Sequence, residues 1–171
     1  MQPGRWLVAL SLTAAVPAFG QEKLLTDWGT FTFERDLGST TGVVAGPPDS
    51  VYGVLKAIFA DRKLAMMQED QAGREISIKR LRLTRRLGKQ PVSLYLTCGE
   101  GLEGPNADLW HVFLSLGARV TPATTGARLQ LLLSAEAVDV PGGRSERVAC
   151  ATTGRLEFEV LTHLRQVFPG T

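Results

Sequence analysis

Polar and apolar residues alternate along most of this chain, and in two places the apolar ones recur every three to four positions instead. Alternation predicts strands with one face in water, and the longer period predicts helices. Residues 21–29 form a mixed polar lead-in. Thr30-Phe31-Thr32-Phe33-Glu34-Arg35 alternates and reads as a strand. Leu37 to Thr41 carries turn residues, and Gly42-Val43-Val44-Ala45 is a second strand or a continuation of the first. Gly46-Pro47-Pro48-Asp49-Ser50 then stops the strand, and Asp49 or Ser50 can accept a backbone N–H at a helix start. Val51, Val54, Leu55 and Ile58 lie on one helix face that Phe59 widens, which predicts a helix over about 50–62. Tyr52 falls off that stripe and reads as a partly exposed rim aromatic.

Two antiparallel strands, about 63–68 and 74–84, are predicted next, joined by the polar Glu69-to-Gly73 turn. Past Ile78 the apolar parity shifts to Leu81 and Leu83. A one-residue shift exchanges the two faces of a strand, so a single strand here needs a bulge near Lys79-Arg80. Gly88-Lys89-Gln90-Pro91 is a turn. Val92 to Cys98 reads as a strand with Val92, Leu94 and Leu96 on one side. Gly99 to Asp108 reads as a glycine-rich loop. The alternating runs 110–117 and 128–137 form a long hairpin across a turn-rich Thr121–Gly126 connection. Leu156, Val160, Leu164, Val167 and Phe168 make a second helix stripe, over about 153–168. Thr152 or Thr153 could cap it, with Glu157 and Glu159 suited to its positive end.

Short connections make neighbouring strands pair in a meander, and both helices must bury their stripes on the sheet's apolar face. The predicted fold class is therefore α+β: two layers, with a curved antiparallel sheet of about five to seven strands packed against two helices. A sheet that curls round the C-terminal helix would enclose a pocket.

Residues 1–20 are set apart from this fold. Arg5 precedes the apolar run from Trp6 to Val16, and small residues follow, which is the pattern of a secretory signal peptide cleaved before Gln21 or before Phe19. The domain reading is 1–20 signal peptide and 21–171 one α+β domain, in the periplasm or secreted, with no transmembrane segment in the mature chain. Export changes the meaning of the only two cysteines, Cys98 and Cys150. In an oxidising compartment they are expected to pair. Closing a loop of about 50 residues stabilises by roughly 4 kcal/mol on chain-entropy arithmetic. The alternative is a reactive Cys98 with His111 or His163 as base.

The chain's 171 residues include 44% hydrophobic and 21% charged residues, which excludes wholesale disorder and a multi-span helical membrane protein. Its net charge of +2 gives no global reason to expect a nucleic-acid partner. That balance conceals a local feature. From Lys79 to Lys89 the chain carries Lys79, Arg80, Arg82, Arg85, Arg86 and Lys89 and no acid. Such a strip can meet anionic lipid, acidic glycan or the acidic face of an envelope protein, or it can simply keep a sheet edge soluble. His111 and His163 lack metal-ligand spacing, so no metal or other cofactor is expected. There is no G-x-S-x-G elbow and no phosphate loop, so no catalytic residue is assigned.

The stretch Gly46-Pro47-Pro48-Asp49-Ser50-Val51-Tyr52-Gly53-Val54-Leu55, followed by strands and a long C-terminal helix, resembles helix-grip domains of the polyketide-cyclase and lipid-transport type. It is also similar to the helix-grip modules of the outer-membrane assembly lipoprotein BamC. Cys98-Gly99 with Cys150-Ala151-Thr152-Thr153-Gly154-Arg155-Leu156-Glu157 resembles secreted bacterial proteins of unassigned role. The resemblance covers about 40–168 and implies a sheet gripping the last helix. It transfers no site residue, and fold alone does not license function. The leading expectation is a non-catalytic binding or scaffolding protein of the cell envelope. The alternatives are a carrier of a small apolar ligand between sheet and helix, and a hydrolase using His111 or His163.

Overall fold

A computed structural model of the chain describes residues 22–26, 29–34, 39–64, 67–139 and 147–170. The predicted export segment and its cleavage positions lie outside these residues. In chain order the elements are β1 (Glu22–Thr26), β2 (Gly29–Glu34), β3 (Ser39–Val44), α1 (Pro48–Asp61), β4 (Met67–Asp70), β5 (Glu75–Thr84), β6 (Arg86–Leu87) and β7 (Gln90–Pro91). A single 3-10 turn at Val92–Leu94 leads to β8 (Leu96–Thr97), β9 (Glu100–Gly101), β10 (Gly104–Pro105) and the short helix α2 (Asn106–Leu109). β11 (His111–Ala123), β12 (Gly126–Val138), β13 (Arg147–Thr152) and α3 (Arg155–Val167) complete the chain.

The architecture is the expected α+β class. The antiparallel sheet runs β1-β2-β3-β12-β11-β5-β6-β7, with β4 also on β5 and β13 also on β12. Its spine is the β11–β12 hairpin, paired without interruption from His111↔Val138 to Ala123↔Gly126. The strands run further than the alternation suggested, leaving only Thr124 and Thr125 as the turn. The polar lead-in is also a strand: β1 pairs with β2 from Glu22↔Phe33 to Thr26↔Gly29.

One face of this sheet is the core. Val112, Leu114, Leu116, Ala118 and Val120 of β11 are buried, as are Leu129, Leu131 and Leu133 of β12 and Ile76 and Ile78 of β5. Both long helices lie on this face. α1 contributes Val51, Leu55, Ile58 and Phe59, and α3 contributes Leu156, Val160, Leu161 and Leu164. α3 approaches β3 so closely that a Cβ on Gly42 would overlap Leu161 Cδ2. The core side chains beneath the helices, among them Leu55, Phe59, Leu129, Val160 and Leu164, have almost no exposed surface.

The bulge predicted from the parity shift is present. Leu114 pairs with Leu81 and Leu116 with Ile78, so Lys79 and Arg80 together oppose Ser115. Arg80 occupies the left-handed region at φ 51°. Its N–H, turned out of the ladder, donates to Ser115 Oγ at 3.2 Å. The bulge returns Leu83 to the core while Ile76 and Ile78 stay there.

Other local expectations fail, and the strand expected at about 63–68 is β4, which begins only at Met67 and takes Glu69 and Asp70 from the predicted turn. Val92–Leu94 is a 3-10 turn, not a strand, and leaves Leu94 exposed and Tyr95 buried. The cause is Asp108, distant in sequence, whose Oδ1 accepts the Ser93 N–H at 2.9 Å and whose Oδ2 accepts the Ser93 hydroxyl at 2.5 Å. The Gly99–Asp108 stretch is not a plain loop but the β9–β10 hairpin followed by α2. Tyr52 is buried, because α1 lies flat enough on the sheet for its hydroxyl to reach the Glu75 carbonyl at 3.4 Å. On α3, Leu161 and Glu157 join the buried stripe, and Val167 at the helix end is exposed.

Candidate binding face of the sheet

The sheet's other face meets water, and its chemistry is set by the residues that alternate with the core. Along β11 and β12 the cross-strand partners are Phe113↔Glu136, Ser115↔Ser134 and Gly117↔Leu132. Small side chains in the middle row leave a trough. One part, about 210 Å³, is lined by Arg80, Phe113, Ser115, Ser134, Ala135 and Glu136. The adjoining part, about 290 Å³, shares Ser115 and Ser134 and adds Ser77, Lys79, Gly117 and Leu132. Both parts are open to solvent, on the face opposite the helices.

Arg80 forms one end of the trough. Its guanidinium carbon lies 4.9 Å from the Phe113 ring centroid, and its Nη2 is 2.9 Å from Glu136 Oε1. Arg147 reaches the same oxygen at 3.4 Å. A cation over a ring face is attracted by the ring quadrupole, worth about 0.5–1 kcal/mol at an exposed site. Arg82, the cross-strand partner of Phe113, places Nη2 3.0 Å from His111 Nε2. Only one ring tautomer lets that nitrogen accept.

All six strip residues are exposed: Lys79, Arg80, Arg82, Arg85, Arg86 and Lys89. The structure gathers them at the β5–β6–β7 corner of the sheet. Arg86 turns back to donate to the Lys89 carbonyl at 2.9 Å. Among the described residues, Arg80 alone of the six has an ion-pair partner. Arg85, like Arg80, sits in the left-handed region, at φ 64°. The sequence showed the run of cations. It did not show that Phe113 and Glu136, both far along the chain, hold one of them in place.

Cys98 and Cys150 form a disulfide across 52 positions. That removes Cys98 as a free nucleophile. The bridge ties β13 to the residue after β8, where Ala151↔Thr97 and Thr152↔Leu96 also pair. His111 contacts Arg82, and His163 is exposed on α3. The two histidines are not brought together into a site. Among the described residues no three His, Cys, Asp or Glu side chains converge as a metal site. Nor is any described helix long and apolar enough to cross a membrane.

A buried polar cluster at the start of α3 was not foreseen. Glu157 is 1% exposed instead of facing water at the helix end. Its Oε1 accepts the Thr152 hydroxyl at 2.7 Å, and its Oε2 has no hydrogen-bond partner. Burial pushes its carboxyl above the ordinary value, against the opposing pull of its backbone N–H and the Thr152 hydroxyl. Thr152 Oγ1 also accepts the Gly154 N–H at 3.0 Å, which links Glu157 through Thr152 to the residue just before α3. Glu159, on the helix's outer side, is the opposite case. Burial would raise its carboxyl, but Arg155 at 2.7 Å and Arg62 at 2.9 Å hold it below the usual range. The one signal in sequence was Thr152 five positions before Glu157, a spacing that also fits solvent-exposed caps.

Comparison with protein-family models and with curated proteins returned no match to this sequence.

Proposed function

We propose that this chain is an exported, non-catalytic protein of the bacterial cell envelope that attaches to an anionic surface of phosphate-bearing lipid headgroups. The contact is the basic corner of its outer sheet face. One observation carries the reading. The fold leaves six exposed cations together at one corner of the outer face, Arg80 and Arg85 among them on left-handed backbone. Lys63 and Arg74 share that backbone conformation away from the corner, so it is the clustering of exposed cations and not the strain that points to a use. Lys79, Arg82, Arg86 and Lys89 surround Arg80 and Arg85, and Glu136 is bound by Arg80 and Arg147.

At about 1 kcal/mol per cation near an anionic bilayer, the six residues supply roughly 6 kcal/mol before ion pairing is subtracted. That is a weak, reversible attachment that salt disrupts. The export pattern of residues 5–20 and the Cys98–Cys150 bridge support an oxidising location. Flotation with vesicles containing anionic lipid tests the proposal. Binding is expected at low salt and lost in the Arg80/Arg82/Arg85/Arg86→Ser variant. Equal binding by that variant contradicts it.

A further inference from the structure

The β9–β10 hairpin ends in Leu102, the most exposed large hydrophobic residue described, at full exposure. Glu100 and Glu103 flank it, both exposed. An apolar tip of this kind is usually mobile, but this one stands on a fixed base. Asn106 donates from Nδ2 to the Cys98 carbonyl at 3.2 Å, and its backbone N–H donates to the Gly99 carbonyl at 3.0 Å. Cys98 itself is bridged to Cys150. The hairpin therefore presents one leucine between two carboxylates, held by a disulfide and a helix start. Its acids disfavour an anionic lipid surface, so the knob requires a partner with an apolar floor and a cationic rim.

The outer sheet face of the same chain has that composition. The 290 Å³ part of the trough is floored by Gly117 and by Leu132, which is 40% exposed. Lys79 borders it, and Arg80 stands beside the shared Ser115 and Ser134. We infer that the Leu102 hairpin of one copy seats in the Gly117–Leu132 trough of a second copy, with Glu100 and Glu103 facing the second copy's Lys79 and Arg80. Knob and trough lie on different surfaces, so the contact is head-to-tail. Such contacts build open chains or rings instead of stopping at a symmetric dimer. The inference does not rest on the lipid-surface reading, but the two share Lys79 and Arg80, so a seated knob and a lipid surface compete for those cations.

Sedimentation of the purified chain over rising concentration tests this. Leu102→Asp removes the knob and Leu132→Glu spoils the trough, and both positions are exposed, so the fold tolerates either. The unmodified chain is expected to exceed dimer mass as concentration rises and to dissociate with salt. Each variant alone is expected to associate roughly 10- to 100-fold more weakly, the loss for unburying one leucine. An equimolar mixture of the two variants retains one good knob and one good trough, and is expected to stop at twice the monomer mass. The inference is overturned by a monomer that persists to about millimolar concentration, the range where even weak specific contacts populate. It is equally overturned by association that Leu102→Asp leaves undiminished, or by a mixture that stays monomeric. Neither variant alters a strip cation, so vesicle flotation of each at concentrations where it is monomeric reports the lipid reading separately.

Discussion

The guanidinium of Arg80 stacks on the ring of Phe113, 4.9 Å from its centroid, from a backbone position at φ 51°. A stabilising contact and a strained backbone therefore meet in one residue. Relieving the left-handed conformation with glycine gains about 1 kcal/mol. Losing the ring contact and the exposed Glu136 pair costs about the same. Arg80→Gly is thus expected to change unfolding free energy in urea by less than about 1 kcal/mol while weakening attachment to anionic vesicles. A loss of 3 kcal/mol or more, on the order of a broken buried network, would make Arg80 a structural residue instead.

The disulfide closes a loop across 52 positions. Cys98→Ser with Cys150→Ser is expected to lower stability by roughly 4 kcal/mol. β13 and the β8–α2 segment should lose amide protection first, because the bridge and two residue pairs join them. Hydrogen exchange measures this. Uniform loss of protection across the β11–β12 hairpin would contradict it.

The contribution of Glu157 to stability is greatest on the acid side. Its carboxyl is pushed up by burial in the folded chain, whereas in the unfolded chain it titrates at its ordinary value, near 4.5. Between those two values the folded state holds the proton and the unfolded state has released it. Stability therefore falls as pH rises from the ordinary value, and levels off once the folded carboxyl ionises. Glu157→Gln keeps the acceptor for Thr152 without the charge. It is expected to be more stable than the parent at neutral pH, and to lose that part of the pH dependence. Urea unfolding at pH 4 and pH 7.5 decides it, and an unchanged or lower neutral stability counts against it.

Two glycines separate packing from propensity. Gly42→Val forces a side chain into Leu161 and is expected to cost about 1–3 kcal/mol. Gly53 is exposed inside α1 with nothing within 4 Å of a Cβ, so Gly53→Ala is expected to stabilise by about 0.5–1 kcal/mol. Thermal melts check both: Gly42→Val reports how tightly α3 is set on β3, and Gly53→Ala reports helix propensity in α1.

The core face was readable because it is periodic. The parity shift at Ile78, Leu81 and Leu83 even located the bulge that now carries Arg80. What was hidden depends on partners distant in the chain. Ser93 leaves an apparent strand because Asp108 captures it, and Tyr52 is buried because the Glu75 carbonyl is in reach. Glu157 looked like a helix-end acid because its polar character outweighed its place on the buried stripe. The candidate site was half visible. The cations stood in one run, but Phe113, Glu136 and the small-residue trough come from the β11–β12 register, which no local pattern states.

The central claim is that the basic corner of the outer face is the attachment surface. Amide chemical-shift changes on titration with bicelles containing anionic lipid test it most directly, residue by residue. Changes are expected to concentrate at 79–89 and His111–Ser115 and to be reversed by salt. Changes centred on α1 or α3, or none at low salt, would contradict it.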